Sequence, residues 1–197
     1  MINYTNIQKH INIPFDEYLK FNGYSHSFLK REKNGITPEL TITENIIIGK
    51  LVDGILTEPQ YVEMANPLYP VAKLIAYEIS KNFGDLIKHF EKQISYTSLM
   101  QYGDFIMPAK VRLDFMLTGH AAIEMKITKS KDIDGIIKHM GYENQLWHQT
   151  KMAGVNKGYF LFHSIPLKKT IILTANCDSD HNDFWAEKII SFGTVNS

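Results

Sequence analysis

Three side chains near the middle of the chain combine the types and the spacing that phosphate chemistry requires. Asp114 is followed ten residues later by Glu124, and Lys126 lies two residues beyond Glu124. Carboxylate oxygens suit Mg²⁺ and Mn²⁺, and such an ion polarises a phosphate ester and lowers the pKa of the attacking water. An ammonium group beside it can orient the water or stabilise the charge of the transition state. The three residues therefore predict a metal-dependent site that hydrolyses phosphodiester bonds.

The strand that carries Glu124 and Lys126 has an alternating pattern. Alternation places these two side chains on one face and Ile123, Met125 and Ile127 on the other. A Glu-X-Lys pair on an edge strand is usually a solvated ion pair that adds little stability, so a purely structural role is one interpretation. The apolar neighbours instead indicate an interior strand, where a buried charge needs a partner or a ligand.

A β-hairpin is predicted to bring Asp114 and Glu124 together. Residues 106–117 and 121–128 are rich in β-branched, aromatic and aliphatic side chains, which is typical of strands. The turn residues at 118–120 separate them, as in a hairpin. Both carboxylates are therefore expected at the same end of one sheet.

The other elements are predicted from hydrophobic periodicity and from turn and cap residues. They are a short serine-capped helix within 14–33, helices over 43–57, 71–90 and 132–152, a last helix from Asp180 or Asn182 to about Ile190, and strands over 93–102, 158–164 and 169–175. Gly84 is expected to kink or divide the helix over 71–90. This order predicts a single α/β (α+β) domain over 1–197, with a mixed central β-sheet flanked by helices.

The composition is that of a globular protein without a dominant charge. A chain of 197 residues is long enough for one domain, and its 21 basic and 21 acidic residues cancel. The net charge therefore gives no indication of a nucleic-acid partner. Two local basic clusters are equally compatible with a binding surface and with a solvated face: Lys30, Arg31 and Lys33, and Lys126, Lys129 and Lys131.

Cysteine content and apolar run length limit the cellular setting. The single cysteine, Cys177, excludes an internal disulfide and a multi-cysteine zinc site. The longest apolar runs fall well short of the ~20 residues that a membrane helix needs, and the polar opening residues are unlike a signal peptide. These features predict a soluble protein of the cytoplasm that does not use a membrane.

Several motifs in the same order resemble the PD-(D/E)XK nuclease superfamily, and within it the RecB-like and RecE-like exonucleases of phages and bacteria. The match runs from about residue 24 to residue 150. It consists of a Ser-X-Ser-X-Leu element at 25–29, a glycine-led helix ending in Glu-Pro at 49–59, the pair Asp114 and Glu124-X-Lys126, and the Tyr-X-X-Gln element Tyr142 and Gln145.

The resemblance implies a restriction-endonuclease-like core within about 24–175 and a role for each matched residue. Asp53, Asp114 and Glu124 would bind Mg²⁺ or Mn²⁺, and Lys126 and Gln145 would act in catalysis. Contacts to DNA would come from Ser25, Ser27, Lys30, Arg31, Lys129 and Tyr142.

The resemblance also implies a biological setting. The expected activity is a deoxyribonuclease, as an exonuclease of phage-type recombination or DNA end processing, acting in the host cytoplasm if a phage encodes it. A single-strand annealing protein is an expected partner, and homo-oligomers such as rings occur among similar proteins. Two alternatives stay open: a non-catalytic DNA-binding or assembly protein that kept the fold, and a structure-selective endonuclease.

Three positions depart from the pattern of that family. Asp53 stands where a metal-binding histidine is usual, and an aspartate is also a suitable ligand for Mg²⁺. Leu113 replaces a proline next to the acidic residue, which changes no reactive group. Gln149 stands where an aromatic residue is expected four positions after Gln145.

Overall fold

A computed structural model of the chain describes residues 1–31, 42–175 and 181–195. Six strands form one sheet whose spatial order follows the order of the chain. The strands are β1 (Asn3–His10), β2 (Glu91–Tyr102), β3 (Phe105–Leu117), β4 (Ala121–Thr128), β5 (Lys157–Ser164) and β6 (Lys169–Ala175). Neighbouring strands are antiparallel, except that β4 and β5 are parallel. The predicted mixed central sheet is confirmed.

Helices cover both faces of this sheet. They are α1 (Phe15–Lys20), α2 (His26–Arg31), α3 (Glu44–Thr57), α4 (Tyr69–Ile87), α5 (Ile133–Met140), α6 (Tyr142–Ala153) and α7 (His181–Val195), with a short 3₁₀ turn at Pro59–Tyr61. Parallel strands need a crossover connection, and α5 and α6 supply it between β4 and β5. The predicted arrangement of helices around a sheet is therefore also confirmed.

Alternation along the strands divides the core into two layers. On one face, α6 and α7 bury side chains that include Leu146, Trp147, Trp185, Phe160 and Phe162. On the other face, α3 and α4 pack against the opposite set, which includes Val52, Ile79, Phe115, Ile123 and Met125. Burial of apolar area stabilises the fold by about 25 cal/mol per Å². Because Ile123 and Met125 are buried against α3 and α4, Glu124 and Lys126 lie on the other side of β4.

Helix α3 holds Asp53 against the sheet. Its N-terminus is capped by the Thr43 hydroxyl, which accepts a hydrogen bond from the Ile46 N–H at 3.4 Å. Such a bond satisfies a first-turn amide that otherwise lacks a partner. The buried residues of the helix recur at three- and four-residue spacings, and the helix ends before Pro59: Ile48, Leu51, Val52 and Leu56.

Strands β3 and β4 separate soon after their turn. They pair only at Phe115 with Ile123, Met116 with Ala122, and Leu117 with Ala121, while β4 continues beside β5 as far as Thr128. The separation leaves backbone groups of both strands without a strand partner, and these groups need other partners when buried.

Residues 11–24, which we call the N-terminal arm, cover the free edge of β3 beyond that separation. The Tyr24 N–H donates to the Pro108 carbonyl at 3.0 Å, and the Lys110 N–H donates to the Tyr24 carbonyl at 3.2 Å. The arm contains α1, so this pairing places α1 beside the opening between β3 and β4.

The structure differs from the sequence-based prediction in several elements. Strand β1 was not predicted, and the predicted helix over 132–152 is two helices that meet at Gly141, whose φ of +63° ends α5 in the left-handed region. Helix α4 runs through Gly84 as one helix. The last helix extends beyond Ile190 to Val195. Of its two predicted caps, Asn182 lies within the helix, and Asp180 lies outside the described residues.

The apolar residues of α4 are only partly buried. Ile75, Ile79 and Ile87 are buried, whereas Leu74 and Leu86 are exposed. Among the helices of the three described ranges, none is both long enough and apolar enough to span a membrane.

Replacing Gly23 by alanine is expected to loosen the N-terminal arm from β3. Gly23 has a φ of +144°, and a Cβ there would lie 2.8 Å from the Ala109 carbonyl carbon. Backbone strain and a clash both oppose the change, so we expect the free energy of unfolding in urea to fall by on the order of 3 kcal/mol.

The matched control is Gly119→Ala in the turn between β3 and β4. Its φ is +71°, but nothing lies within 4 Å of an added Cβ, so the expected loss is only about 1 kcal/mol. Equal losses in the two variants would contradict the close approach of the arm to β3.

Candidate active site

A cleft of about 420 Å³ opens where β3 and β4 separate. Its walls come from α1, α2, α3, β2, β3 and α6. The polar side chains that line it include Asp53, Gln93, Arg112, Asp114, Gln145 and Gln149. Two of the three predicted metal ligands therefore face one cleft, and the third, Glu124, lies beneath it with only 4% of its surface exposed.

Asp114 closes the gap in the sheet. Its Oδ2 accepts a hydrogen bond from the Met125 N–H at 2.7 Å, so the carboxylate takes the place of the strand carbonyl that β4 has lost. A backbone donor buried without a partner costs about 1–3 kcal/mol. The side chain is therefore tied to β4 next to Glu124, in the position that the hairpin prediction requires.

Glu124 accepts hydrogen bonds at both carboxylate oxygens. Oε1 accepts from Lys126 Nζ and from Gln145 Nε2, the latter at 2.6 Å, and Oε2 accepts from Gln149 Nε2 at 2.7 Å. The two glutamines are four residues apart in α6, on one side of the helix. The structure thus brings the predicted residues Glu124, Lys126 and Gln145 into direct contact.

Burial and neighbouring carboxylates raise the pKa values of Asp114 and Asp53. Burial raises the pKa of Asp114 well above its ordinary value, and the nearby charges of Glu124 and Asp53 raise it further. Burial and the Glu124 charge together raise the pKa of Asp53 to about 7, against the opposing effect of the Gln93 hydrogen bond. Asp53 and Asp114 therefore resist ionisation beside Glu124, and a bound cation would relieve the repulsion.

Lys126 keeps its charge in this setting. Burial disfavours the ammonium form, but the carboxylates of Glu124 and Asp114 outweigh burial and hold the Lys126 pKa above its usual value. Its Nζ also lies 4.9 Å from the centre of the Tyr142 ring, a cation–π contact. A lysine that stays protonated can donate hydrogen bonds but cannot serve as a general base.

Asp53 is positioned by Gln93, a residue of β2 that has a positive φ. Gln93 has a φ of +51° and turns its side chain to α3, where Nε2 donates to Asp53 Oδ1 and Oδ2 at 2.9 and 3.0 Å. Gln93 Oε1 accepts from Arg112 Nε at 2.5 Å, and the same guanidinium forms a mostly buried ion pair with Glu58 at 2.9 Å. This network connects α3, β2 and β3 around the aspartate.

Gln149 is a site residue that sequence reasoning did not assign. Its Nε2 donates to the Arg112 carbonyl at 3.1 Å as well as to Glu124, so one buried amide bridges the gap between β3 and β4. Its Oε1 has no hydrogen-bond partner among the residues that the structure describes. The i, i+4 spacing from Gln145 was the available signal, but it was interpreted as a lost aromatic contact.

Two buried histidines also line the cleft. Burial lowers the pKa of both His26 and His148 to about 3, so both imidazoles are neutral at physiological pH. His148 is bonded through Nδ1 to the Tyr4 hydroxyl at 2.9 Å. His148 lies three residues after Gln145 in α6, and His26 lies at the start of α2.

Of the residues expected to contact DNA, the two serines line the cleft. Ser25 and Ser27 line the cleft, and the Ser25 hydroxyl accepts from the Phe28 N–H at 3.4 Å at the start of α2. Lys30 Nζ donates to the Met140 carbonyl at 2.5 Å, so this ammonium is directed towards the end of α5.

The other three residues of that set do not line the cleft or are only partly described. Lys129 forms an exposed ion pair with Glu44 at 3.1 Å and is not a cleft residue. Tyr142 packs against Phe160 and Phe162 beneath Lys126. The side chain of Arg31 and the whole of Lys33 lie outside the described part of the chain.

The carboxylate oxygens of Asp53, Asp114 and Glu124 are suitable ligands for a hard divalent cation. In the structure they accept hydrogen bonds from other protein groups. In residues 1–31, 42–175 and 181–195, no group of three or more His, Cys, Asp or Glu side chains is close enough to hold a metal ion as it stands. The charge of Glu124 nevertheless acts on both Asp53 and Asp114, whose pKa values are raised. Binding an ion would require Glu124 or Asp53 to exchange a hydrogen bond for it.

The fold is similar to that of a Eubacterium rectale protein whose name proposes that it is an exonuclease. The likeness has a TM-score of 0.52 at 15% sequence identity and covers 81% of this chain and 68% of that chain. A second solved structure, that of SSO0001, has a TM-score of 0.46 at 17% identity, over 84% and 82% of the two chains. No protein-family model and no curated protein match the sequence. The likeness therefore concerns the fold, and the activity has to be argued from the site.

Replacing Asp53 by asparagine is expected to stabilise the metal-free protein at neutral pH. Because the folded-state pKa of Asp53 is about 7 and the unfolded value is about 3.9, the folded wild type binds more protons between these values. Its stability therefore falls as pH rises through that window, whereas asparagine does not titrate and can still accept from Gln93.

The measurement is the melting temperature of both proteins in a chelator, followed by circular dichroism. The advantage of the Asp53→Asn variant should grow from about pH 4 to pH 7 and then level off. An advantage that is constant across this range would contradict the raised pKa.

Proposed function

We propose that this chain is a divalent-metal-dependent deoxyribonuclease that hydrolyses phosphodiester bonds in the cleft beside Asp114. The observation that carries the proposal is the group of three interacting carboxyl groups next to a lysine that remains protonated. Such a group destabilises a protein unless it binds a cation. Carboxylates combined with a fixed positive donor suit a phosphate ester, which carries negative charge throughout hydrolysis.

In this proposal Asp53, Asp114 and Glu124 hold Mg²⁺ or Mn²⁺. When bound, the ion would polarise the phosphate and lower the pKa of the attacking water. Asp114 would offer the oxygen that does not accept from the Met125 N–H, since only Oδ2 is used in that bond. Gln93 and Arg112 hold Asp53 in place from the opposite wall.

Lys126 supplies positive charge where negative charge develops. Because its pKa is held above the usual value, it would donate a hydrogen bond to a phosphate oxygen or to the attacking water and would not remove a proton. Gln145 shares Glu124 Oε1 with Lys126. Its amide can keep the carboxylate oriented when the lysine turns towards the substrate.

We further propose an exonuclease of DNA end processing, as in phage-type recombination. Support comes from the resemblance of the motifs and from the likeness in fold to the Eubacterium rectale protein. Ser25, Ser27, Lys30, Arg31, Lys129 and Tyr142 remain the proposed contacts to DNA, with Ser25 and Ser27 the two that line the cleft. A single-strand annealing protein and further copies of this chain are proposed partners.

The test is degradation of end-labelled linear duplex and single-stranded DNA with Mg²⁺ or Mn²⁺. We expect cleavage that requires a metal and falls roughly 100-fold or more in Lys126→Ala, the effect of removing one donor that stabilises the transition state. Lys88→Ala is the control, because Lys88 forms an exposed ion pair with Asp85 and belongs to no proposed site.

The outcomes separate the alternatives. Cleavage of covalently closed circular DNA would contradict an exonuclease and favour a structure-selective endonuclease. Metal-independent cleavage, or equal activity in Lys126→Ala and the wild type, would contradict the site. A wild type that binds DNA but cleaves nothing with either metal would favour the non-catalytic DNA-binding protein.

A further inference from the structure

Helix α1 presents an apolar face to the cleft. Phe15 and Leu19 are four residues apart on one side of the helix, both line the cleft, and they are 48% and 53% exposed. Tyr18 lies beneath them and is 6% exposed, so α1 already has a buried side. Exposed apolar groups that adjoin a polar cleft mark binding surfaces more often than isolated surface residues do.

The position of this face is fixed relative to Asp114. Lys110 Nζ donates to the Leu19 carbonyl at 2.9 Å and to the Phe21 carbonyl at 3.0 Å, and an Arg112 nitrogen donates to the Ile13 carbonyl at 2.6 Å. Lys110, Arg112 and Asp114 occupy every second position along β3. One hydrogen bond to α1 and two to the residues that flank it therefore attach this segment to the strand that carries the proposed metal ligand.

The Phe15 ring is in contact with two neighbouring side chains. The Arg112 guanidinium lies 5.8 Å from the ring centre, and the Tyr18 ring lies 6.0 Å from it. A ring held in this way loses little further conformational freedom when a ligand stacks on its exposed face, which favours binding.

The composition of the cleft limits what can stack there. Lys50 and Lys110 share it with Phe15 and can attract an anionic backbone. A cleft of about 420 Å³ is in the size range of small-ligand sites, so an individual nucleotide fits it better than stacked base pairs. Aromatic side chains in basic grooves are the usual means of holding unpaired bases.

We propose that Phe15, with Leu19 beside it, is a stacking platform for an unpaired base of single-stranded DNA that enters the cleft. This inference rests on the proposed function and deepens it, because it makes the strand that reaches Asp114 a single strand. The platform sets where the chain is held and takes no part in bond cleavage.

The experiment measures binding in the absence of hydrolysis. A fluorescent oligothymidylate is titrated with protein in a chelator, and its anisotropy gives the dissociation constant. Phe15→Ala should weaken binding roughly 5- to 100-fold, as expected for loss of one stacked base, and Phe15→Trp should retain it. Tyr77→Ala is the matched control, since Tyr77 is 65% exposed on α4 and does not line the cleft.

A second readout identifies the stacked residue directly. An oligonucleotide that carries 5-iodouracil is irradiated with the wild-type protein, and mass spectrometry should find the cross-link at Phe15. Unchanged affinity in Phe15→Ala, weak binding by Phe15→Trp although it melts like the wild type, or a cross-link confined to other residues would each overturn the platform.

The two proposals can fail separately. Phe15-dependent binding without any metal-dependent cleavage would support the platform and contradict the nuclease. Metal-dependent cleavage with Phe15-independent binding would support the nuclease and overturn the platform.

Discussion

The hydrogen bond from the Met125 N–H to Asp114 Oδ2, at 2.7 Å, lies at the point where β3 and β4 separate. Everything proposed for the site depends on this separation. It opens the sheet for the cleft, exposes the edge of β3 to the N-terminal arm, and leaves Glu124 facing α6. Because an unpaired buried N–H is costly, the separation is tolerated only where side chains replace the lost strand pairing, and Asp114 and Gln149 both do so.

Those replacements place acidic groups close together, and the resulting repulsion is the energetic cost of the site. The pKa values of Asp53 and Asp114 are raised by burial and by neighbouring carboxylates, so ionising both groups opposes folding. Lys126 and Arg112 offset part of this charge, but Arg112 is already paired with Glu58. The remaining negative charge makes a divalent cation the expected ligand. This uncompensated charge is a more specific sign of a cation site than the presence of carboxylates alone.

Short-range patterns predicted those parts of the site that depend on local geometry. Alternation placed Glu124 and Lys126 on one face of an interior strand, and the structure places both there, between β3 and β5. Helical spacing placed Asp53 on α3, and the turn at 118–120 gave the hairpin. The fold class followed from the order of the elements.

The parts that were not predicted depend on contacts between distant segments. The approach of Gln93 to Asp53 depends on a positive φ within β2, and the Gln149 bridge needs a gap between two strands. Strand β1 lies at the edge of the sheet and most of its residues are exposed. Its sequence therefore lacks the alternating apolar pattern from which a strand is predicted. Phe15 acquires its position only because Lys110 and Arg112 reach across to the backbone of α1.

The central claim is that Asp53, Asp114 and Glu124 act as one cation site, and calorimetric titration with Mn²⁺ tests it most directly. The comparison is between the wild type and Asp114→Asn, in which the amide oxygen can still accept from the Met125 N–H. The account predicts saturable binding by the wild type, release of protons on binding because two of the ligands have raised pKa values, and binding at least ~10-fold weaker in the variant. No binding by the wild type, or equal affinity in the two proteins, would contradict it.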